Sequence, residues 1–155
     1  MKRLFHFIVL MSLASTGAYA QKGFLLKDVP AQKKVEVRYD GKLLTAYCYF
    51  DSTEKPVLWP IKTLFGVTIT RGYPITPKAG ERSDHPHHLG LWMNYESVNG
   101  LDFWNNSTAI AAEKKSKYGS IRHQKILTSK SNKENATLET LSNWVNQEGR
   151  VLLEE

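Results

Sequence analysis

The stretch VEVRYDGKLLTAYCYF, residues 35–50, decides the fold class of this chain. Residues 35–39 alternate apolar and polar side chains, which is typical of a strand with one buried face. Asp40-Gly41 follows directly, and this pair is a strong signal for a two-residue hairpin turn. The aromatic-rich run 43–50 then predicts a second strand that returns along the first. The fold is therefore expected to begin as an antiparallel hairpin.

The rest of the chain continues in the same style. Strand patterns occur at 66–70, 89–95, 120–129 and 136–145, and the proline-bounded segment 56–61 predicts an edge strand or an irregular crossing. Asn99-Gly100 predicts a turn before a short strand through Phe103-Trp104, and only 109–117 suggests a helical turn. We expect an all-β fold, an antiparallel β-sandwich.

The last residues, 151–155, begin a strand that has no return partner in the sequence. We therefore expect residues 21–155 to be the N-terminal part of a single domain, with the sandwich incomplete at its C-terminus. It could form part of a larger sandwich like those of the sugar mutarotases.

The first twenty residues have the pattern of a signal peptide. Lys2 and Arg3 precede an apolar run at 5–14, and Ala18-Tyr19-Ala20 is a small-x-small cleavage site. The apolar run is too short to span a bilayer as a helix, and nothing later in the sequence is typical of a transmembrane segment. We expect cleavage near Ala20, a mature start at Gln21, and a soluble periplasmic or secreted protein.

Charge and cysteine content exclude several classes of function. Of 21 basic residues, 19 remain after the signal peptide is removed, against 15 acidic residues, which leaves a net charge of +4. Because the lysines are mostly scattered and export is expected, we expect no nucleic-acid partner. Cys48 is the only cysteine, which excludes an internal disulfide and a cysteine metal cage; a buried, inert thiol is expected.

Three of the four histidines that remain after signal cleavage lie in one run, Asp84-His85-Pro86-His87-His88. The run ends a long loop, 74–88, and loops of this length without their own elements are often functional. Because proline disfavours helix for the residue before it, we expect His85 to be extended. In an extended segment His85 and His87 share one face and His88 points to the other.

This pattern leaves three chemistries open: a metal site, acid–base catalysis, or a grip on a polyol. In the metal alternative, His85 and His87 bind a divalent metal, and nearby acids supply oxygen ligands. In the acid–base alternative, His85 or His87 acts on the substrate and a carboxylate orients it. The candidate carboxylates are Glu81, Asp84 and Asp102. A loop that only bonds its own backbone is the non-functional interpretation.

The surrounding polar and aromatic residues are candidates for substrate binding. Tryptophan faces stack on the C–H surfaces of sugar rings, so we expect Trp92 or Trp104 to line the site and the other to be buried. Arg82 would hold a carboxylate or a substrate oxygen. Arg71 begins a turn that could form a second wall, although the end of a strand explains it equally well. The complete set of substrate-binding candidates is Arg71, Arg82, His88, Trp92, Asn94 and Trp104.

Several motifs occur together in a characteristic order: residues 55–61, Thr70-Arg71-Gly72-Tyr73-Pro74, residues 80–92, and Asn99-Gly100-Leu101-Asp102-Phe103-Trp104. In this order they resemble the secreted bacterial family that carries the label methane oxygenase PmoA. Members usually continue past this C-terminus. The resemblance implies a role in carbohydrate metabolism, as an enzyme or a binder of a carbohydrate ligand. The label itself implies a metal-dependent oxygenase or hydrolase, and a non-catalytic sugar-binding module is the third alternative.

Overall fold

The computed structural model describes residues 22–155, and the described chain folds into three antiparallel sheets. The predicted all-β, antiparallel class is confirmed. The predicted signal peptide, 1–20, and Gln21 lie outside the described residues. The first sheet contains β1 (Phe24–Val29), β2 (Lys34–Tyr39), β3 (Lys42–Cys48) and β4 (Val57–Leu58); the second contains β5 (Ser97–Val98) and β6 (Leu101–Asp102); the third contains β7 (Ser120–Ser131), β8 (Ala136–Val145) and β9 (Val151–Glu154).

The two predicted hairpin turns form as the sequence indicates. Asp40 and Gly41 both have positive φ, 46° and 75°, and they join β2 to β3 through the pair Tyr39 and Lys42. Asn99 and Gly100, with φ of 51° and 81°, join β5 to β6 in the same way. Two successive positive φ values match the right-handed twist of the flanking strands, and asparagine, aspartate and glycine tolerate them best.

The first and third sheets face each other across a partly filled interior. A cavity of about 340 Å³ lies between them, with Tyr47 and Val57 on one side and Ile121 and Ser142 on the other. One buried cluster surrounds Cys48 of β3 and includes residues 46, 57 and 89. A second cluster consists of Phe103, Ile121 and Trp144. As predicted, Cys48 is a buried free thiol; burial raises its pKa to about 11, which keeps it protonated and unreactive.

Three local predictions are corrected. Residues 89–95 do not form a strand, since only Leu91 makes an isolated bridge, to Leu58. Residues 66–70 contribute only a bridge between Thr68 and Lys62. The short strand predicted through Phe103-Trp104 ends earlier, since β6 covers only Leu101–Asp102. The predicted helical turn at 109–117 is confirmed as a 3-10 helix, Ala112–Lys117, and a second one covers Pro30–Gln32. Within residues 22–155, neither helical segment has the length and apolar character that a bilayer-spanning helix needs.

The irregular segments share a physical cause. In 89–95, short-range alternation is present, but Leu91 pairs only across to the edge strand β4, which is two residues long. A strand forms only where a partner continues the ladder, so the pattern alone was insufficient. The histidine run and Trp92 lie in the irregular stretch between β4 and β5, and Trp104 follows β6 directly. The fold therefore presents these side chains from loops that are supported by the first sheet.

Candidate functional site

The loop that carries the histidines is organised by Arg71. Its Nη2 atom donates to the carbonyl oxygens of Asp84, at 2.9 Å, and His85, and its Nε atom donates to the carbonyl of His88 at 3.3 Å. Its Nη1 atom also lies 3.5 Å from the Asp84 carboxylate. One guanidinium thus holds three carbonyls of the loop. Arg71, a candidate substrate-binding residue, directs its donors to the loop itself.

Glu81 supports the neighbouring turn in a similar way. Its carboxylate accepts hydrogen bonds from the backbone amides of Gly72 at 2.8 Å, Tyr73 at 3.0 Å and Lys78 at 3.3 Å. The bond from Gly72 is the largest of the effects that lower the pKa of Glu81. A Cβ atom at Gly72 would lie 2.0 Å from the carbonyl oxygen of Thr76, so only glycine fits this turn. Glu81, predicted as catalytic, is engaged with backbone amides.

The prediction that His85 is extended, so that His88 points away from His85 and His87, is wrong. His85 has a positive φ of 50° and is not extended, and the amide of His88 donates to the His85 carbonyl at 3.0 Å, which closes a turn. The rings of His85 and His88 are stacked, with centroids 5.0 Å apart and planes at 11°. His87 meets His88 edge to face at 4.3 Å and His85 at 5.8 Å. All three imidazoles form one group, the histidine cluster (His85, His87 and His88).

The hydrogen bonds from Arg71 to the loop carbonyls explain why His85 is not extended. A proline disfavours the α region for the residue before it, but it does not exclude a left-handed backbone. Such a backbone costs about 1 to 3 kcal/mol for a non-glycine residue and persists where surrounding contacts over-determine it. The three loop carbonyls held by Arg71 and the turn bond of His88 supply those contacts. The strained residue is therefore held in position by contacts from outside its own turn.

Asp84 connects the histidine cluster to two arginines. Its Oδ2 atom lies 3.0 Å from Nδ1 of His85 and 2.8 Å from Nη2 of Arg82, whose side chain is exposed. Burial raises the pKa of Asp84, but the bond from His85 and the charges of Arg82 and Arg71 outweigh this effect, so the net pKa is lowered. Asp84 is therefore an ionised partner for His85. This carboxylate–imidazole pair leaves the opposite ring nitrogen, Nε2, free to act on another molecule.

The surroundings of the other two histidines lower their pKa values and so favour the neutral imidazole. Burial lowers the pKa of His87, and the nearby charges of His88, Lys55 and His85 lower it further. Burial also lowers the pKa of His88, with His85, Arg71 and Lys55 acting in the same direction. Neutral imidazoles can accept a proton or a hydrogen bond at physiological pH. The imidazoles of His87 and His88 are thus suited to accept a hydrogen bond or a proton.

Two packed indole rings, the tryptophan wall (Trp92 and Trp104), border the cluster. The Trp92 ring lies 5.9 Å from His88 and 5.6 Å from the Trp104 ring, which is 40% exposed. Trp92 is partly buried, and its Nε1 atom is buried without a hydrogen-bond partner. Trp104 therefore presents an open face, whereas Trp92 lies deeper and lines the cavity of the sandwich.

Asp102 and Asn94 hold the hairpin that carries Trp104. The carboxylate of Asp102 accepts two bonds from Asn105, at 2.9 Å from its amide and at 2.7 Å from its side chain. Nδ2 of Asn94 donates to the carbonyl of Phe103 at 2.8 Å. Both residues were predicted in the site, as a catalytic and a substrate-binding group respectively. The structure places them beside Trp104, with their side chains bonded to the protein.

Lys55 is the residue that sequence analysis missed. It is 2% exposed, and its Nζ atom donates to the carbonyls of Trp104 at 2.6 Å and Phe103 at 3.4 Å, beneath the Trp92 ring at 5.1 Å. Burial lowers the pKa of Lys55 to about 8, although the charges of Asp102 and Glu54 oppose this shift. Lysine is almost never fully buried, so composition and periodicity carry no sign of it. Lys55 links the tryptophan wall to the hairpin.

The described residues contain no arrangement of three or more histidine, cysteine or acidic side chains suited to a metal ion. The stacked rings of His85 and His88 direct their in-plane lone pairs along nearly parallel planes, which do not converge on one ion. His123 does not join the cluster. It is hydrogen-bonded to the Tyr47 hydroxyl at 3.1 Å and packs on Tyr49 at 4.2 Å, between the sheets. The pair His85 and His87 thus has no third protein ligand in the part of the chain that the structure describes.

A comparison with known protein families identifies the family of this chain. A family of unknown function, DUF6807, matches residues 34–155, which include strands β2 to β9, the histidine cluster and the tryptophan wall. The chain belongs to this family. Comparisons with curated proteins and with solved structures find no match. The resemblance in the motifs is therefore supported as membership of a family of unknown function, and nothing links the DUF6807 chain to methane oxygenase PmoA.

Proposed function

We propose that this chain is an exported protein that acts on or binds a carbohydrate through the histidine cluster. In the enzymatic version, His85 is the acid or base, Asp84 orients it through the 3.0 Å contact to Nδ1, and Arg82 keeps Asp84 ionised. Trp92 and Trp104 supply the apolar faces on which a sugar ring stacks. The observation that carries the proposal is the Asp84–His85 pair in a cluster that meets Trp92 at His88, with the exposed ring of Trp104 packed on Trp92.

The proposed chemistry requires His85 only to accept or donate a proton. A carboxylate that accepts the Nδ1 proton selects the tautomer in which Nε2 carries a free lone pair, as catalytic histidines require. That nitrogen is placed to accept a hydrogen bond or a proton from a sugar hydroxyl. His87 and His88, whose pKa values are lowered, are suited to accept hydrogen bonds from further hydroxyls. The side chain of His85 is 57% exposed, so a ligand can reach it.

The test uses the full chain purified without chelator and a panel of neutral mono- and disaccharides. We expect binding or turnover that His85→Ala abolishes and His123→Ala leaves unchanged, because His123 lies between the sheets, outside the cluster. Binding without turnover assigns a sugar-binding module. Stoichiometric metal that His87→Ala releases would contradict the acid–base proposal and favour the metal-dependent oxygenase or hydrolase. Failure of every saccharide to bind or react would refute the carbohydrate proposal.

Export belongs to the same proposal, because it rests on residues 1–20 of the sequence. Expression of the full chain in a bacterial host, followed by mass spectrometry of the mature protein, tests it. We expect a new N-terminus at Gln21 and recovery outside the cytoplasm. An intact N-terminus on a cytoplasmic product would refute export without affecting the proposed chemistry of the histidine cluster.

A further inference from the structure

An open groove is lined in part by Trp104, the exposed ring of the tryptophan wall. It has a volume of about 670 Å³ and is lined by Asn94, Tyr95, Glu96, Ser97, Trp104 and Asn105. Its volume lies within the range of ligand-binding pockets. Trp104 belongs to both surfaces, since it packs on Trp92 beside the histidine cluster and also lines the groove. Trp104 therefore connects the groove, through Trp92, to His88 of the histidine cluster.

The groove presents two aromatic side chains to solvent. Tyr95 is 68% exposed and Trp104 is 40% exposed, although aromatic side chains of this size usually bury their rings. Exposed aromatic rings grouped with polar groups are typical of binding surfaces. Trp104 and Tyr95 belong to the two segments joined by the β5–β6 hairpin, one on each side of it. A ligand longer than one ring can therefore meet both.

The walls of the groove are held in place by hydrogen bonds. The Asn94 side chain donates to the carbonyl of Phe103 at 2.8 Å, and its Oδ1 atom accepts from the amide of Tyr95 at 2.7 Å. Asn105 is bonded twice to Asp102, and the amide of Phe103 donates to the carbonyl of Glu96 at 3.1 Å. Preorganised walls lower the entropic cost of binding a ligand.

The polar groups of the groove indicate the class of ligand. Within the described chain, the side chains of Glu96 and Ser97 make no hydrogen bond to protein, so a carboxylate and a hydroxyl are available to a ligand in addition to the two aromatic faces. A carboxylate accepts hydrogen bonds from hydroxyl groups and repels anions. The groove thus fits an uncharged polyol with apolar ring faces and disfavours a sugar that carries a carboxylate.

From these observations we infer that the groove is a second saccharide subsite, so that the ligand is a neutral oligosaccharide. One sugar ring lies at Trp104, next to the histidine cluster, and the following ring lies on Tyr95, with Glu96 and Ser97 bonded to its hydroxyls. This inference rests on the proposed function, because the first ring occupies the site of the histidine cluster. It adds the length and the charge of the ligand.

The experiment measures affinity on a panel of neutral mono-, di- and trisaccharides, and on disaccharides that contain a uronic acid, by glycan array and by titration calorimetry. Full-length protein is compared with Tyr95→Ala, Glu96→Gln and Phe65→Ala. Phe65 is a matched control, because it is an exposed aromatic at 93% and does not line the groove. A thermal melt of each variant checks that it is folded.

We expect disaccharides to bind about 2- to 10-fold more tightly than the matching monosaccharide, since aromatic stacking contributes about 0.5 to 1.5 kcal/mol. Tyr95→Ala should remove that advantage and leave monosaccharide affinity unchanged, whereas Phe65→Ala should change neither. Glu96→Gln should admit uronic acid disaccharides that the wild type rejects. Monosaccharide binding without any effect of chain length or of Tyr95→Ala overturns the groove inference and leaves the proposed function standing. Absence of all saccharide binding overturns both.

Discussion

Replacing Lys55 with methionine should change how the stability of this protein depends on pH. Lys55 is buried, and its Nζ atom donates to the carbonyls of Trp104 and Phe103. Burial lowers its pKa from 10.5 to about 8. Methionine has a similar shape and carries no titratable group, so it removes the proton equilibrium while keeping most of the packing.

The sign follows from the lowered pKa. Between about pH 8 and about pH 10.5 the unfolded chain holds the Lys55 proton and the folded chain has lost it, so the free energy of unfolding rises with pH. A difference of about 2.5 pKa units corresponds to about 3 kcal/mol. Below pH 8 both states are protonated, and Lys55 contributes no slope. The lost bonds to the two carbonyls add an offset that does not vary in this window.

Urea denaturation of wild type and Lys55→Met at pH 7, 8, 9 and 10 measures the effect. The wild-type free energy of unfolding minus that of the variant should rise by about 2 to 3 kcal/mol from pH 7 to pH 10. Subtraction removes the contributions of Tyr47 and Tyr49, which titrate in both proteins. Lys114→Met, at an exposed position, serves as the control for the loss of one lysine. A constant difference across this range would refute the assignment of Lys55 as a buried amine with a lowered pKa.

Other predictions concern packing and catalysis. Gly119→Ala should destabilise the fold by about 1 to 3 kcal/mol, because its Cβ atom would lie 2.2 Å from the buried Phe103 ring. Urea denaturation measures this change, and unchanged stability would show that the ring can move aside. Asp84→Asn should lower saccharide affinity or turnover by about 10- to 100-fold, because His85 loses the partner that orients it. Equal activity of Asp84→Asn and wild type would show that this contact is only structural.

The loop around Arg71 shows how tertiary structure overrode a local rule. The proline after His85 predicted an extended residue, and the alternation of side chains then separated His88 from the other two histidines. In the folded chain three carbonyls of the loop converge on one guanidinium, thirteen to seventeen positions away along the chain. This capture holds His85 in a left-handed conformation and brings all three rings together. A distant donor cannot be recognised from the spacing of the histidines.

The sequence by itself determined the features that depend on near neighbours. The β2–β3 hairpin, the Asn99-Gly100 turn, the strand Ala136–Val145 and the buried Cys48 all form as expected, because alternation and turn chemistry act within a few residues. Only the tertiary structure decided the burial of Lys55, the bonding of Glu81 to backbone amides, and the division of the tryptophan wall into a deep and an open ring. Each of these depends on atoms that distant segments bring together, since burial and hydrogen-bond partners are properties of the packed chain.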